Sequence, residues 1–347
     1  MRSRTLSFAF SILVAVCGAL ALATPLRAGD KSSKDAAARA QALALFQKAL
    51  AVSDIRAPGS PPFELQGKID VRESSGAKAA SGTYLLKWAA PDKWREEIHF
   101  PNYFRIRIGN KDGYFQSRSI SYEVEPVCDL SAALGFLREL HVWARQSSIA
   151  GLHMVNIHQR KVGGAKADCV TLLRNDDKYG AEYCFDVDKG LLLRSGDDEF
   201  SGFTSVGGKL FPGKVLVKGA SSTTVQLKFS TVGTMESISE ADFQPAANAT
   251  TWASCDNPDE LARVRHYVIP EYPAGARRAH VQGTVVVYGM VGADGKLHDL
   301  QVLNNPDISL TKSVLSALNG REYEPEICHG AAVSTEEVLR VAFTLGD

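Results

Sequence analysis

Phe63-Glu64-Leu65-Gln66-Gly67-Lys68-Ile69-Asp70-Val71-Arg72 alternates without a break between apolar or small residues and polar or charged ones. A period of two puts each set on its own side of an extended chain, so the stretch predicts a β-strand with one buried face. Working outward, segments of the same kind recur. Ser74-Ser75-Gly76 is a turn, residues 82–88 a second strand and Ala90-Pro91-Asp92-Lys93 a second turn; residues 94–100, 104–108, 114–118 and 121–124 continue the series. Short strands joined directly by turn residues predict an antiparallel meander, not strand–helix–strand units. Residues 129–146, carrying Leu134, Leu137, Leu140, Val142 and Trp143, interrupt it as one helix, capped by Asp129 or Ser131, that packs on the sheet. Strands resume to about residue 232. Upstream, residues 36–52 are helix formers stopped by Ala57-Pro58-Gly59-Ser60-Pro61-Pro62, and residues 29–35 are polar and expected to lack structure.

The 347 residues predict about two domains. Lys+Arg and Asp+Glu balance at 39 each, with no basic stripe interleaved with aromatics, which argues against a nucleic-acid partner. Arg2 and Arg4 precede an almost wholly apolar run, residues 6–23, and two small-residue cleavage sites follow, at Ala21-Leu22-Ala23 and Leu26-Arg27-Ala28. Residues 1–28 therefore read as a secretory signal peptide, with an uncleaved inner-membrane anchor as the alternative. Cys17 follows Val16, where a lipoprotein signal needs a small residue. The expected compartment is the periplasm or the exterior, where disulfides are permitted. Five cysteines follow this segment, an odd number that leaves one thiol over. Cys169 and Cys184 lie in two strand-like runs flanking the turn 175–180, so a hairpin would set them side by side as a bridge. Cys255 and Cys328 are the second candidate pair, and Cys128 the expected buried thiol. No Cys/His spacing fits zinc, and no metal or cofactor is expected. The acidic turn 186–190 lacks the later ligands of a calcium loop.

Behind the leading helix come Gly82-Thr83-Tyr84-Leu85-Leu86-Lys87-Trp88, then Ala90-Pro91-Asp92-Lys93-Trp94-Arg95-Glu96-Glu97, and later the hairpin Asp186-Val187-Asp188-Lys189-Gly190-Leu191-Leu192-Leu193-Arg194. Over residues 36–250 this order resembles the lipoprotein-carrier class typified by LolA and LolB. The resemblance implies a curved antiparallel β half-barrel wrapped around helices, with an apolar groove for a lipid or acyl chain. Trp88, Trp94, Phe100, Phe104, Phe115 and Trp143 are the aromatics that can line such a groove; filling the core is their alternative role.

Residues 246–259 are rich in Ala, Asn and Pro, and the linker is set at 251–263. Beyond it stand Ile269-Pro270-Glu271-Tyr272-Pro273-Ala274-Gly275-Ala276, the strand-like Gln282-Gly283-Thr284-Val285-Val286-Val287, the hairpin turn Val291-Gly292-Ala293-Asp294-Gly295-Lys296, an apolar helix over 310–318, Tyr323-Glu324-Pro325 and a final strand over 338–345. This order, over 264–347, is similar to the C-terminal domain of TonB, a small α+β domain. The resemblance implies a partner: an outer-membrane TonB-dependent receptor, or another envelope protein, whose short segment adds as a strand at a sheet edge. By position that edge is Leu339, Arg340, Val341, Ala342 and Phe343, with Tyr272, Pro273 and Gly283 as motif residues. Arg321 stands where the family often has Trp, residues 1–28 hold no His, and there is no long Pro-rich spacer, so coupling to the ExbB/ExbD motor is not expected.

No G-x-S-x-G, P-loop or H-E-x-x-H occurs; Ser309-Leu310-Thr311-Lys312 matches S-x-x-K without its partner motifs, and His153 and His158, five apart on a strand, face opposite sides. The expectation is thus an α+β, non-enzymatic envelope protein whose first domain binds an apolar ligand or serves as scaffold. The alternative is a periplasmic lipid or lipoprotein carrier whose TonB-like domain only docks it.

Overall fold

The computed structural model describes residues 28–174, 180–218, 223–251, 255 and 258–345. The expected signal segment up to residue 27, turn residues 175–179 and linker residues 252–254 and 256–257 lie outside the described residues. Helix α1 (Ala28–Ser53) opens the chain and takes in residues 29–35, which the sequence reading left without structure. Once the run of helix formers has nucleated, each further turn costs little.

Strands β1 (Phe63–Arg72), β2 (Lys78–Ala90), β3 (Lys93–Phe100), β4 (Tyr103–Asn110) and β5 (Gly113–Arg118) form the meander. In place of the expected strand at 121–124 and single helix at 129–146 come α2 (Glu125–Leu134), α3 (Phe136–Trp143) and α4 (Gln146–Ala150). Pro126 starts α2 early, since its fixed φ suits a first helical turn. Gly135 closes it, its N–H turned back onto Ser131 and Ala132. Strands β6 (Met154–Val162), β7 (Ala165–Leu173), β8 (Ala181–Asp186), β9 (Leu192–Ser195), β10 (Asp198–Ser201), β11 (Thr204–Val206), β12 (Lys209–Phe211), β13 (Lys214–Lys218) and β14 (Thr224–Thr234) follow, then the 3-10 turn η1 (Glu240–Phe243) and β15 (Thr250–Thr251).

Among the described residues thirteen of these strands make one antiparallel sheet, ordered β15-β5-β4-β3-β2-β1-β14-β13-β10-β9-β8-β7-β6. A twisted sheet this wide has to curl, and its two end strands do not meet, which leaves a half-barrel. In β1 the residues Phe63, Leu65, Ile69 and Val71 are at most 3% exposed, as the alternation requires. They join a single core with Ala42, Phe46 and Ala49 of α1, Leu130 of α2 and Leu140 and Trp143 of α3. Phe46 stands edge-on to Tyr183 and Phe185, 5.2 and 5.0 Å between centroids. The Arg39 guanidinium ties α1 to the end of α4 through the carbonyls of Ile149 and Leu152.

The remaining elements form a small α+β domain with its own core: β16 (Arg263–His266), α5 (Ala274–Arg278), β17 (Gly283–Val291), β18 (Leu297–Asn304), α6 (Ile308–Asn319), β19 (Glu322–Glu324), β20 (Glu326–Cys328), β21 (Ala331–Val333) and β22 (Thr335–Phe343). The α+β class and the half-barrel expected from the sequence are thus the observed architecture. Two disulfides, Cys169–Cys184 and Cys255–Cys328, pair as expected, and Cys128 is free and buried. No helix among the described residues is long and apolar enough to cross a membrane.

Candidate partner-binding site

The small domain is built around β17. On one side β17 pairs with β18; on the other it pairs with β22 in unbroken register from Gly283↔Phe343 to Val291↔Thr335. Among the described residues β22 has no second strand beside it, so it ends the sheet. Helix α6 covers one face, burying Leu310, Val314 and Leu318 against Val285, Val287, Leu339 and Phe343. Asp307 caps that helix by accepting from the N–H groups of Ser309 and Leu310.

The motif residues have local reasons. Gly283 has φ +153° and lies so close to Pro306 that a Cβ would fall 2.6 Å from the proline ring. Gly295, at φ +74°, accepts from Tyr323 N–H and leaves a Cβ only 2.4 Å from Tyr323 O, so the Asp-Gly turn and the aromatic of Tyr-Glu-Pro fit each other. Tyr272 donates to Val281 O and stands edge-on to Phe343 at 5.2 Å. Pro273 is the residue before α5. Tyr272 and Gly283 therefore meet the last strand at its far end, while Leu339, Arg340, Val341 and Ala342 run along it.

The face of β22 opposite α6 is turned to the first domain. Glu336 accepts from Tyr288 Oη at 2.8 Å, from Arg118 at 2.8 Å and from Arg107. Arg107 also reaches Gln116 at 2.7 Å and Glu123 at 2.6 Å. Arg105, 1% exposed, binds Glu123 and Glu96, both at 2.6 Å, and Ser131 at 2.8 Å. Burial alone pushes the Glu123 carboxyl up, but Arg105 and Arg107 bring it down to about 2. Burial likewise pulls the Arg118 guanidinium down, and Glu336 and Tyr288 return it above its ordinary value. Farther along the strand Arg340 pairs with Asp129 of α2. Arg138 of α3 pairs with Glu326 at 3.2 Å. Burial holds the Glu337 carboxyl up at about 7 despite Arg138 and Arg321.

The second half of the linker is held to both domains. Arg145 donates to the carbonyls of Pro258 at 2.6 Å and Asp259 at 2.9 Å, Leu261 packs on the first core, and Ile327 and Glu260 form a bridge.

Of the six aromatics, Trp143 is on α3 and the other five fall on two faces of the large sheet. Trp88, Trp94 and Trp143 lie in the first core, at most 7% exposed, with Trp88 stacked on Phe63 at 5.2 Å and Trp143 donating to Tyr183 at 3.0 Å. Phe100 is half-buried at the edge of that core. Phe104 and Phe115 alternate with the inward residues and lie on the other face, Phe115 opposite Ile108. An open cleft of about 770 Å³, lined among others by Gln66, Lys68, Thr83, Glu97 and His99, includes only Phe100 of the six. Cys169, Glu182 and Cys184 lie close enough to share an ion, but their disulfide engages both sulfurs. The sequence reading missed Arg105, Arg107, Arg118, Glu123 and Glu336. Its one available signal was two arginines at alternate positions of a short strand whose other face is apolar.

Residues 269–345 match the sequence model of the family described as Gram-negative bacterial TonB protein C-terminal. No curated protein matches the chain. Among solved structures it is similar to a DUF1329 family protein from Desulfovibrio piger ATCC 29098, at 12% identity and a TM-score of 0.38 over 58% of this chain and 97% of that one. It is similar to a putative outer membrane lipoprotein-sorting protein domain from Vibrio parahaemolyticus, at 12% and 0.33 over 59% and 97%. It is also similar to a LolA superfamily protein from Nitrosomonas europaea, at 9% and 0.31 over 59% and 97%.

Proposed function

We propose that this is a non-enzymatic, periplasmic envelope protein whose small domain binds an outer-membrane TonB-dependent receptor, or a similar envelope partner, by taking an extended segment as a strand beside β22. The supporting observation is that β22, inside the stretch that matches the TonB C-terminal family, is paired along its whole length on one side and, among the described residues, has no strand on the other. An unpaired edge offers a row of main-chain donors and acceptors, which is what strand addition uses. The first domain serves as scaffold in this reading, because Trp88, Trp94 and Trp143 are already packed in its core. Energy coupling is no part of the proposal.

The test is an NMR titration of a chain spanning residues 28–347 with receptor segments of the TonB-box type. Shifts gathered on 335–343 are the expected result. Saturable binding whose shifts fall elsewhere, or no binding at millimolar peptide, would remove strand addition as the function. Co-purifying lipid that exchanges with added lipid would favour the carrier alternative.

A further inference from the structure

The two domains have separate apolar cores and, among the described residues, share no sheet. What joins them across the face of β22 is charge. The first domain brings three guanidinium groups, of Arg105, Arg107 and Arg118, to one place, and pairs them with two carboxylates among the described residues, of Glu96 and Glu123. The third carboxylate is Glu336, from the small domain, and it is shared by Arg107 and Arg118. Four residues on, the signs reverse, with Arg340 from the small domain meeting Asp129 of the first. At the neighbouring hairpin Glu326 meets Arg138. This pattern fits one placement only. A slide of β22 by two residues would set Val338 against the arginines and leave buried charges unpaired, which is strongly unfavourable.

We infer that Glu336 and Arg340 are positioning residues, which clamp the small domain to the first in one orientation and present β22 as a rigid edge. The face of β22 opposite α6 is then taken up by the chain itself, so an added strand meets the edge and not that face. Edge residues held in place lose less freedom when a strand adds, which is how the clamp raises affinity. This last step rests on the function proposed above; the clamp itself does not.

The test uses the 28–347 chain with both disulfides intact. In the wild type, nitrogen-15 relaxation is expected to give one rotational correlation time for both domains. Glu336→Gln keeps the shape and removes the charge that Arg107 and Arg118 share. The small domain should then tumble separately, and β22 amide exchange should rise about tenfold, the change that 1.4 kcal/mol of weakened docking produces. Glu336→Asp should restore a single correlation time, because it keeps the charge; a space-filling role would favour Gln, the closer isostere. If Glu336→Gln does not fold, Arg118→Gln at the rim gives the same readouts. Two correlation times in the wild type, or unchanged tumbling and exchange in the Gln variants, would overturn the clamp. Peptide affinity is read separately. A peptide that binds the wild type should bind Glu336→Gln more weakly, and equal affinity would overturn the coupling. Absence of peptide binding defeats the proposed partner and leaves tumbling to decide the clamp.

Discussion

Asp198 keeps its carboxyl up at about 7, first through burial and then through the neighbouring carboxylates of Glu139 and Asp197. Glu139 is itself raised by burial, against hydrogen bonds from Ser195 and Tyr183. A carboxyl raised on folding binds a proton that the unfolded chain has released, here between about pH 4 and about pH 7. Its stabilising contribution is complete below that window and is lost as pH rises through it. Each such group gives a slope of at most about 1.4 kcal/mol per pH unit. Glu337, at about 7, adds a second group of the same sign. The Asp198→Asn variant should therefore show a shallower decline from pH 5 to pH 8 than the wild type, and greater stability at pH 8. Urea unfolding at both pH values checks this; parallel declines would place the proton elsewhere.

The hairpin of β7 and β8 shows what an element reveals in advance. Cys169 and Cys184 are direct cross-strand partners, fully buried, and the run of two short strands around a polar turn foretold their bridge. Their separation of 15 residues corresponds to about 3 kcal/mol of chain entropy removed from the unfolded state. Cys169→Ala with Cys184→Ala should lower the free energy of unfolding by that amount, read as a lower urea midpoint; an unaltered midpoint would mean the hairpin holds without it. Alternation was equally legible in β1, whose inner side faces a core and whose outer side carries charge. It misleads in β4. There the apolar-inside rule would bury Phe104, Ile106 and Ile108 and expose Arg105 and Arg107, whereas both arginines are buried. A local pattern assigns charges to solvent because it does not contain their partners. Glu123 lies 16 residues from Arg107, and Glu336 lies 229 away. The edge strand was legible because its motif is contiguous; the face that clamps it was not.

At the scale of the molecule, the linker acts as a strap. Cys255 comes four residues after β15, the end strand of the large sheet, and is bonded to Cys328 in the hairpin before β22. The loop this bond closes spans 73 residues, for which chain entropy gives about 4 kcal/mol. Replacing Cys255 and Cys328 by Ser should lower the temperature of a single calorimetric transition, because the ionic contacts still couple the domains. Two transitions, with the small domain melting first, would show that the strap carries the coupling.

The place of β1 between β2 and β14 has a consequence in time. On the proposed export route the chain arrives N-terminus first, and domains fold as units in that order. Strand β1 cannot gain its second neighbour, β14, until residue 234 has emerged, and Cys255 comes after it. By then Cys169 and Cys184 can have paired, and Cys128, on the buried side of α2, has its thiol held well above the ordinary value by burial, as an unreactive neutral group. Among the described cysteines, Cys255 is then the one left to wait for Cys328. With five cysteines after residue 28, correct pairing is thus expected because chronology, not spacing, removes the wrong partners.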